Sequence, residues 1–291
     1  MVVECRSAGD AAPRDPELCL EALVALEAAR GAVGLAAAQG SPVPGSASTL
    51  GRRLGASPRI ALSLRGAMTR VHMPAPVEGA SPSEERAFWV PGVEGGLALG
   101  VLDGVSVLPT VGGLLSVDLL ASVGIASLGG DDGFDDAARW FGYGARIGLL
   151  RESFTLPGVS VSLARRHLTE TRWTGDDAEV AFDPTVTSIR ATVGKDFLAF
   201  GIVGGWGWER YGGSSAIALA SGSGAITTFA DSDDYSSDRS LFFGGLSYTF
   251  LVLQLAAEGG FATGWSDVPS QTQYDPTQGT IFGSLSGRLT F

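Results

Sequence analysis

The stretch Gly279-Thr-Ile-Phe-Gly-Ser-Leu-Ser-Gly-Arg-Leu-Thr-Phe291 ends the chain and alternates in character with a period of two residues. Leu285 and Phe291 fall on one face of a strand, and Ser284 and Arg288 fall on the other. A strand at the end of a chain leaves a row of unpaired backbone groups unless both of its edges are paired. A closed barrel pairs both edges and gives each face its own surroundings, so the stretch predicts a β-barrel.

The same stretch resembles the C-terminal strand of bacterial outer-membrane β-barrel proteins, whose last residue is usually Phe. The resemblance implies that the barrel assembly machinery recognises this strand and that Phe291 is part of the signal. It also implies an outer-membrane location, with membrane lipid and lipopolysaccharide as partners. No particular subfamily is indicated.

Composition supports a barrel over a helical membrane protein. The 291 residues include 42 Gly and 14 Phe, and no apolar run reaches the roughly 18 to 20 residues that a spanning helix needs. In a barrel the apolar residues alternate with small polar ones, which hides them from a search for long apolar runs. The net charge of −11 argues against nucleic acid as a partner, because binding phosphates requires clustered cations.

Ten alternating segments follow from residue 59 onward, and an even number is typical of a bacterial single-chain barrel. We expect strands near 59–73, 87–103, 111–127, 138–151, 158–169, 185–195, 197–209, 239–250, 251–263 and 279–291. Short and long connections alternate between them, as periplasmic turns and outer loops do. The sequence therefore predicts an all-β fold, a ten-stranded antiparallel transmembrane β-barrel over 59–291, with both chain ends in the periplasm.

Residues 1–58 form a separate N-terminal segment in this interpretation. Asp15-Pro16-Glu17 is typical of a helix start, and a helix is expected over about 16–30 with Gly31 as its stop. The remainder, rich in Gly, Ala, Ser and Pro, is expected to be an irregular linker. The segment either lies at the periplasmic mouth or plugs the lumen. No export signal is visible at the start, so we expect a mature sequence or one with a new start Met.

Cys5 and Cys19 are the only cysteines, and no His lies near them. In an oxidising periplasm they could form one disulfide, and two unrelated thiols are the alternative.

Charged residues of both signs fall on the face that carries small side chains, which we assign to the lumen. The predicted lumen residues are Arg65, Glu94, Asp118, Arg146, Arg166, Arg190, Glu209, Glu258 and Arg288. They could form ion pairs that fill a narrow barrel, or they could line a thin selective channel across water. We expect Arg65, Arg146, Arg190 and Arg288 to pair with Glu94, Asp118 or Glu258.

Aromatic residues are expected in two bands, as the interfaces of a membrane require. The loop-end band would contain Trp89, Trp140, Phe141, Trp206, Trp208, Phe242, Phe261 and Trp265, and the turn-end band Phe154, Phe197, Phe200, Tyr248, Phe250 and Phe291.

Candidates for chemistry are few. His72 and His167 are expected at the outer rim, where omptin proteases, which are also ten-stranded barrels, use acids and a His; the resemblance extends only to strand count and rim position. Clustered acids are weak candidates for Ca²⁺ ligands, with solvated loops as the alternative. They are Asp131, Asp132, Asp135, Asp136, Asp231, Asp233 and Asp234.

The expected function is that of a small mixed-charge channel or a structural barrel. One alternative is a transporter of hydrophobic ligands with an N-terminal plug. The other is an outer-rim hydrolase using His72 or His167. We expect no cofactor, because no phosphate loop, nucleophile elbow or zinc spacing is present.

Overall fold

A computed structural model describes residues 16–51, 57–75, 84–105, 112–129, 133–134, 137–175, 178–220, 226–231, 236–264, 275 and 278–291. The side chains of 16–20, 75, 84–86, 220 and 226–231 lie outside that description. Within these ranges no helix combines the length and the apolar character needed to cross a membrane.

One helix and fourteen strands make up the described chain. They are α1 (Pro16–Ala38), β1 (Ile60–Ala75), β2 (Glu84–Leu102), β3 (Ser116–Ala126), β4 (Ala138–Leu150), β5 (Gly158–Leu168), β6 (Thr171–Thr174), β7 (Ala178–Phe182), β8 (Thr185–Phe197), β9 (Phe200–Gly212), β10 (Ser215–Ala220), β11 (Ile226–Asp231), β12 (Ser237–Phe250), β13 (Leu253–Ala262) and β14 (Thr280–Thr290).

Ten of the strands close into an antiparallel barrel in the order β1-β14-β13-β12-β9-β8-β5-β4-β3-β2. The barrel closes where β1 pairs with β14, and Ile60 and Phe291 exchange backbone hydrogen bonds there at 3.2 and 2.8 Å. The predicted ten-stranded antiparallel barrel is confirmed. Alternation of apolar and small polar residues was sufficient to identify the barrel, because it fixes which face of each strand is apolar. A shift by one residue would move all the apolar residues of a strand to the opposite face.

The two ends of the barrel differ. At the turn end, where Ile60 and Phe291 lie, β8 joins β9 and β12 joins β13 through two-residue turns. Leu198 and Leu251 occupy these turns with φ of 57° and 55°. The connections at the opposite, loop end are mostly longer, and two of them carry further strands.

A second sheet at the loop end was not predicted. Its four strands pair in the order β11-β10-β7-β6, and they come from the connections β5 to β8 and β9 to β12. These connections were expected to be irregular acidic loops. Each strand has only four to six residues, so its alternation is shorter than the barrel-strand pattern used to find the others. We call this the outer sheet.

The helix also departs from expectation, because α1 continues to Ala38 instead of ending near Arg30. Gly31 and Gly34 each cost about 1 kcal/mol in a helix interior. Burial on every side offsets that cost, since residues 21–38 are all buried. The expected linker therefore begins at Gln39, not at Gly31.

Candidate functional site

Helix α1 lies inside the barrel. It contacts β1, β2, β3, β5, β8 and β9 of the barrel wall and β7 and β10 of the outer sheet. A helix that is apolar all round is a buried helix, and Ala and Leu cover every side of this one. At Gly34 the helix meets the wall so closely that a Cβ would lie 2.3 Å from Cε1 of Tyr211, so only glycine fits there.

Residues 39–51 continue from α1 to the turn end of the barrel. The Ser41 and Gly45 N–H groups donate to the Glu258 carboxylate at 2.9 and 3.3 Å. The Leu50 N–H lies 3.0 Å from both carboxylate oxygens of Asp118. Glu27 and Gly31 of α1 bind Ser237 and Arg239 at the loop end, and Leu50 binds Asp118 near the turn end, so the segment 16–51 runs along the lumen from loop end to turn end. We call it the lumen segment.

Two arginines hold the C-terminal end of α1. Arg65 donates to the Gln39 carbonyl at 2.7 Å and to that of Ser41. Arg190 donates to the Gly40 carbonyl at 3.2 Å and to that of Ala38. The last carbonyls of a helix lack partners within it and carry partial negative charge, which makes them good acceptors for guanidinium groups.

Eight of the nine predicted lumen residues are buried and form ion pairs around the lumen segment, whereas Arg288 is half-buried and forms none of its expected ion pairs with a described residue. The pairs are Arg146–Asp118 at 2.7 Å, Arg190–Glu209 at 2.5 Å, Arg65–Glu94, Arg166–Glu94 and Arg239–Glu209 at 3.5 Å each, and Arg65–Glu258 at 4.0 Å. The expected partners of Arg190 were wrong, because it pairs with Glu209. Within the described residues, Nε and Nη1 of Arg288 have no hydrogen-bond partner.

Two further residues of the wall, Arg239 and Ser237, bind the loop-end half of the segment. Arg239 donates to the Gly31 carbonyl at 2.8 Å and to the Tyr211 hydroxyl at 2.6 and 2.8 Å. The Ser237 hydroxyl donates to Glu27 at 2.9 Å. Extending the alternation of β12 back from its inward-facing Phe243 would have placed both Ser237 and Arg239 in the lumen.

Little space remains between the segment and the wall. A cavity beside Ala28 and Ala32 measures about 30 Å³, and one beside Pro42 measures about 20 Å³. Each is large enough for about one water molecule. A groove of about 630 Å³ lies instead on the outer wall, among residues such as Leu64, Leu246 and Leu285.

Both histidines face outward. The His167 ring stacks against Phe141 and Tyr143, with ring centroids 5.2 and 6.0 Å apart. Its Nδ1 lies 3.5 Å from the Thr185 hydroxyl. His72 is half-buried at the loop end of β1. Aromatic rings thus lie beside His167, and within the part of the chain that the structure describes no acid forms an ion pair with it.

Several predicted sites lie outside the described residues. Cys5 and six of the seven acids lie there, as does Trp265, and the side chains of Cys19 and Asp231 are likewise outside the description. Within the described residues, no three His, Cys, Asp or Glu side chains are grouped to hold a metal ion. The disulfide and the Ca²⁺ sites remain predictions.

The outer wall is apolar and exposed. Leu64, Val123 and Leu246 are each more than 60% exposed, and similar residues surround the barrel. The described girdle residues at both ends are exposed as well, except Trp208, which is half-buried, and Trp140. The expected position of Trp140 was wrong, because it faces inward and donates to Glu94 at 3.2 Å. Such a wall is stable only in lipid, so the fold defines a transmembrane β-barrel with an occupied lumen.

No known family matches the sequence, and no characterised protein matches it either. Known structures with some similarity include the translocator domain of the autotransporter NalP from Neisseria meningitidis, at 12% identity and a TM-score of 0.46, covering 83% of this chain and 91% of that one. The outer-membrane protease OmpT from Escherichia coli has 11% identity and a TM-score of 0.41, covering 80% and 96%. The transport unit of the autotransporter AIDA-I from Escherichia coli has 8% identity and a TM-score of 0.44, covering 92% and 99%. The predicted resemblance to outer-membrane barrels is confirmed at the level of the fold by the closed ten-stranded barrel.

Proposed function

We propose that this chain is an outer-membrane barrel that carries its own N-terminal segment across the membrane and holds the residues before α1 at the cell surface. The direction of the lumen segment is the observation that carries the proposal. Glu27 and Gly31 of α1 bind Ser237 and Arg239 at the loop end of β12, whereas Leu50 reaches Asp118 near the turn end. Short turns face the periplasm in such barrels and long loops face outward, which places Pro16 on the outer side.

Under this proposal the start of α1 and Phe291 are on opposite sides of the membrane, which differs from the expectation that both chain ends are periplasmic.

The lumen charges support a holding role. Arg239 binds the segment near the loop end, Arg65 and Arg190 bind it at the middle, and Asp118 and Glu258 bind it towards the turn end. Most of these contacts join a charged side chain of the wall to a backbone group of the segment. If the segment left the lumen, these buried charged side chains would lose their hydrogen-bond partners. The hydrogen bonds from the wall therefore favour retention of the segment in the lumen.

Labelling of single cysteines in intact cells tests the orientation. In a Cys5→Ser, Cys19→Ser background, Ser7→Cys should react with a membrane-impermeant maleimide. Glu179→Cys on the exposed face of the outer sheet is the positive control, and Phe154→Cys, in a turn and 97% exposed, should react only after the outer membrane is permeabilised. Protection of Ser7→Cys together with labelling of Glu179→Cys would contradict the proposal.

A channel that opens when the segment leaves is the second candidate, and the mixed charge of the wall favours it. The intact chain should then show little conductance in planar bilayers, because the cavities beside Ala28 and Pro42, between the segment and the wall, are only water-sized. Deletion of residues 1–51 should give small channels whose ion selectivity changes with Arg146→Glu. A deletion variant that folds but shows no conductance would argue against this second candidate. It would not contradict the proposed holding role.

A further inference from the structure

The apolar outer wall is interrupted on two adjacent strands. Outward-facing residues of β5 are apolar up to Leu163, but Arg165 and His167 follow it towards the loop end. On β8, Thr187 and Thr185 follow the outward-facing Ile189 in the same direction. The strand register places Arg165 beside Thr187, and His167 beside Thr185. We call these four residues the polar notch.

Aromatic side chains border the notch on β4 and lie near it on β9, where Arg210 is paired with Thr187 and Trp208 with Ile189. Tyr143 on β4 is paired with Arg165, and Phe141 with His167. On β9, Trp208 faces outward and is covered by Arg210, whose guanidinium lies 5.2 Å from the ring centre. Tyr and Trp rings are enriched where hydrocarbon meets lipid headgroups, so the notch lies at the headgroup level of the membrane.

The arginines here lack the acidic partners that others at this end have. Arg210 binds Asp238 at 2.9 Å, and Arg172 binds Glu170 at 3.0 Å. Arg139 on β4 faces outward and lies two residues nearer the loop end than Phe141, the partner of His167. Arg165 and Arg139 are both exposed, and neither forms an ion pair with any described residue. This is unexpected in a chain with 31 acids and 20 basic residues.

A cation on a lipid-facing wall is costly unless an anion from the membrane neutralises it. Guanidinium groups bind phosphate in bidentate fashion, and threonine hydroxyls can add hydrogen bonds. We propose that the polar notch and Arg139 form a binding site for the phosphate groups of an outer-leaflet glycolipid. The inference rests on the proposed orientation, because that orientation places the loop end in the outer leaflet.

Binding by the purified full chain in detergent micelles tests the site. Diphosphorylated lipid A and its dephosphorylated form are titrated separately, with native mass spectrometry as the readout. We expect at least a tenfold preference for the phosphorylated lipid and its loss in the Arg139→Gln, Arg165→Gln variant. Arg70→Gln is the matched control, because Arg70 also faces outward at the loop end but lies on β1, away from the notch, and it should bind within twofold of the wild type.

Three results would overturn the site: no preference in the wild type, a preference that survives in the double variant, or an equal loss in Arg70→Gln. If the double variant does not fold, the comparison of the two lipids on the wild type decides alone. Lipid binding in micelles does not depend on how the protein is oriented in a cell. A failure of lipid binding is therefore distinguishable from a failure of the cysteine labelling that tests the orientation.

Discussion

At the residue scale, Asp118 combines two tasks at the turn-end part of the lumen. Its carboxylate accepts hydrogen bonds from the Leu50 N–H and from Arg146, and all three residues are buried. One side chain therefore joins the lumen segment to the wall and balances the charge of a neighbouring arginine. A buried guanidinium that loses its only close acid is left with a large desolvation cost.

Replacing Asp118 by Ala should lower the free energy of unfolding by about 3–5 kcal/mol, because Arg146 would be left buried and unpaired. Asp118→Asn keeps an acceptor for Leu50 but loses the charge, so its effect should be smaller. Asp103→Ala removes an exposed partner of Arg151 and should cost about 0–1 kcal/mol. Urea unfolding followed by the heat-modifiable gel shift measures all three, and similar losses at Asp118 and Asp103 would mean that the lumen is wet.

At the element scale, the two-residue turns carry a strained conformation. Leu198 has φ of 57° and its side chain is fully exposed, so it lies in the left-handed region without packing to compensate. For a residue other than Gly or Asn, the left-handed conformation costs about 1–2 kcal/mol of conformational free energy. Leu251 occupies the equivalent position in the turn between β12 and β13.

Leu198→Asn should therefore raise the free energy of unfolding by about 0.5–1 kcal/mol, since Asn tolerates a positive φ. Ala199→Asn is the control, because Ala199 is in the same turn and has no positive φ. The measurement is the urea midpoint in the same lipid or detergent. An unchanged or lower midpoint for Leu198→Asn would show that the exposed leucine is held by contacts outside this chain.

The elements also show which features local pattern could predict. Alternation placed Arg65, Arg146 and Glu258 in the lumen, because successive side chains of a strand point to opposite faces. The face of each residue therefore follows from the residues next to it in the sequence. The location of α1 could not be found in this way, because its wall contacts join residues as much as 210 positions apart, as between Glu27 and Ser237. One local signal was overlooked: α1 has apolar residues on every side, which indicates burial rather than a one-sided contact.

At the scale of the whole molecule, closure joins the two ends of the barrel sequence. Ile60 and Phe291 exchange two backbone hydrogen bonds, so the last residue completes the pairing of β1 with β14. An unclosed barrel would expose unpaired backbone groups to lipid, where no water can satisfy them. The lumen segment depends on the same closure, because Arg65 on β1 and Glu258 on β13 bind it from both sides of β14.

Deleting Phe291 should lower the amount of folded barrel in the membrane far more than it changes the properties of the barrels that do form. The deletion removes one pair of closing hydrogen bonds and a half-exposed ring at the turn end, whereas the bonds from Ala61–Thr290 onward remain. Phe291→Tyr keeps the backbone and an aromatic ring and should assemble normally. Heat-modifiable mobility of membrane fractions gives the folded fraction, and thermal midpoints of the purified barrels show whether closure itself has weakened. Equal folded fractions with and without Phe291 would contradict a role in assembly, and a lowered midpoint with normal assembly would assign the residue to closure alone.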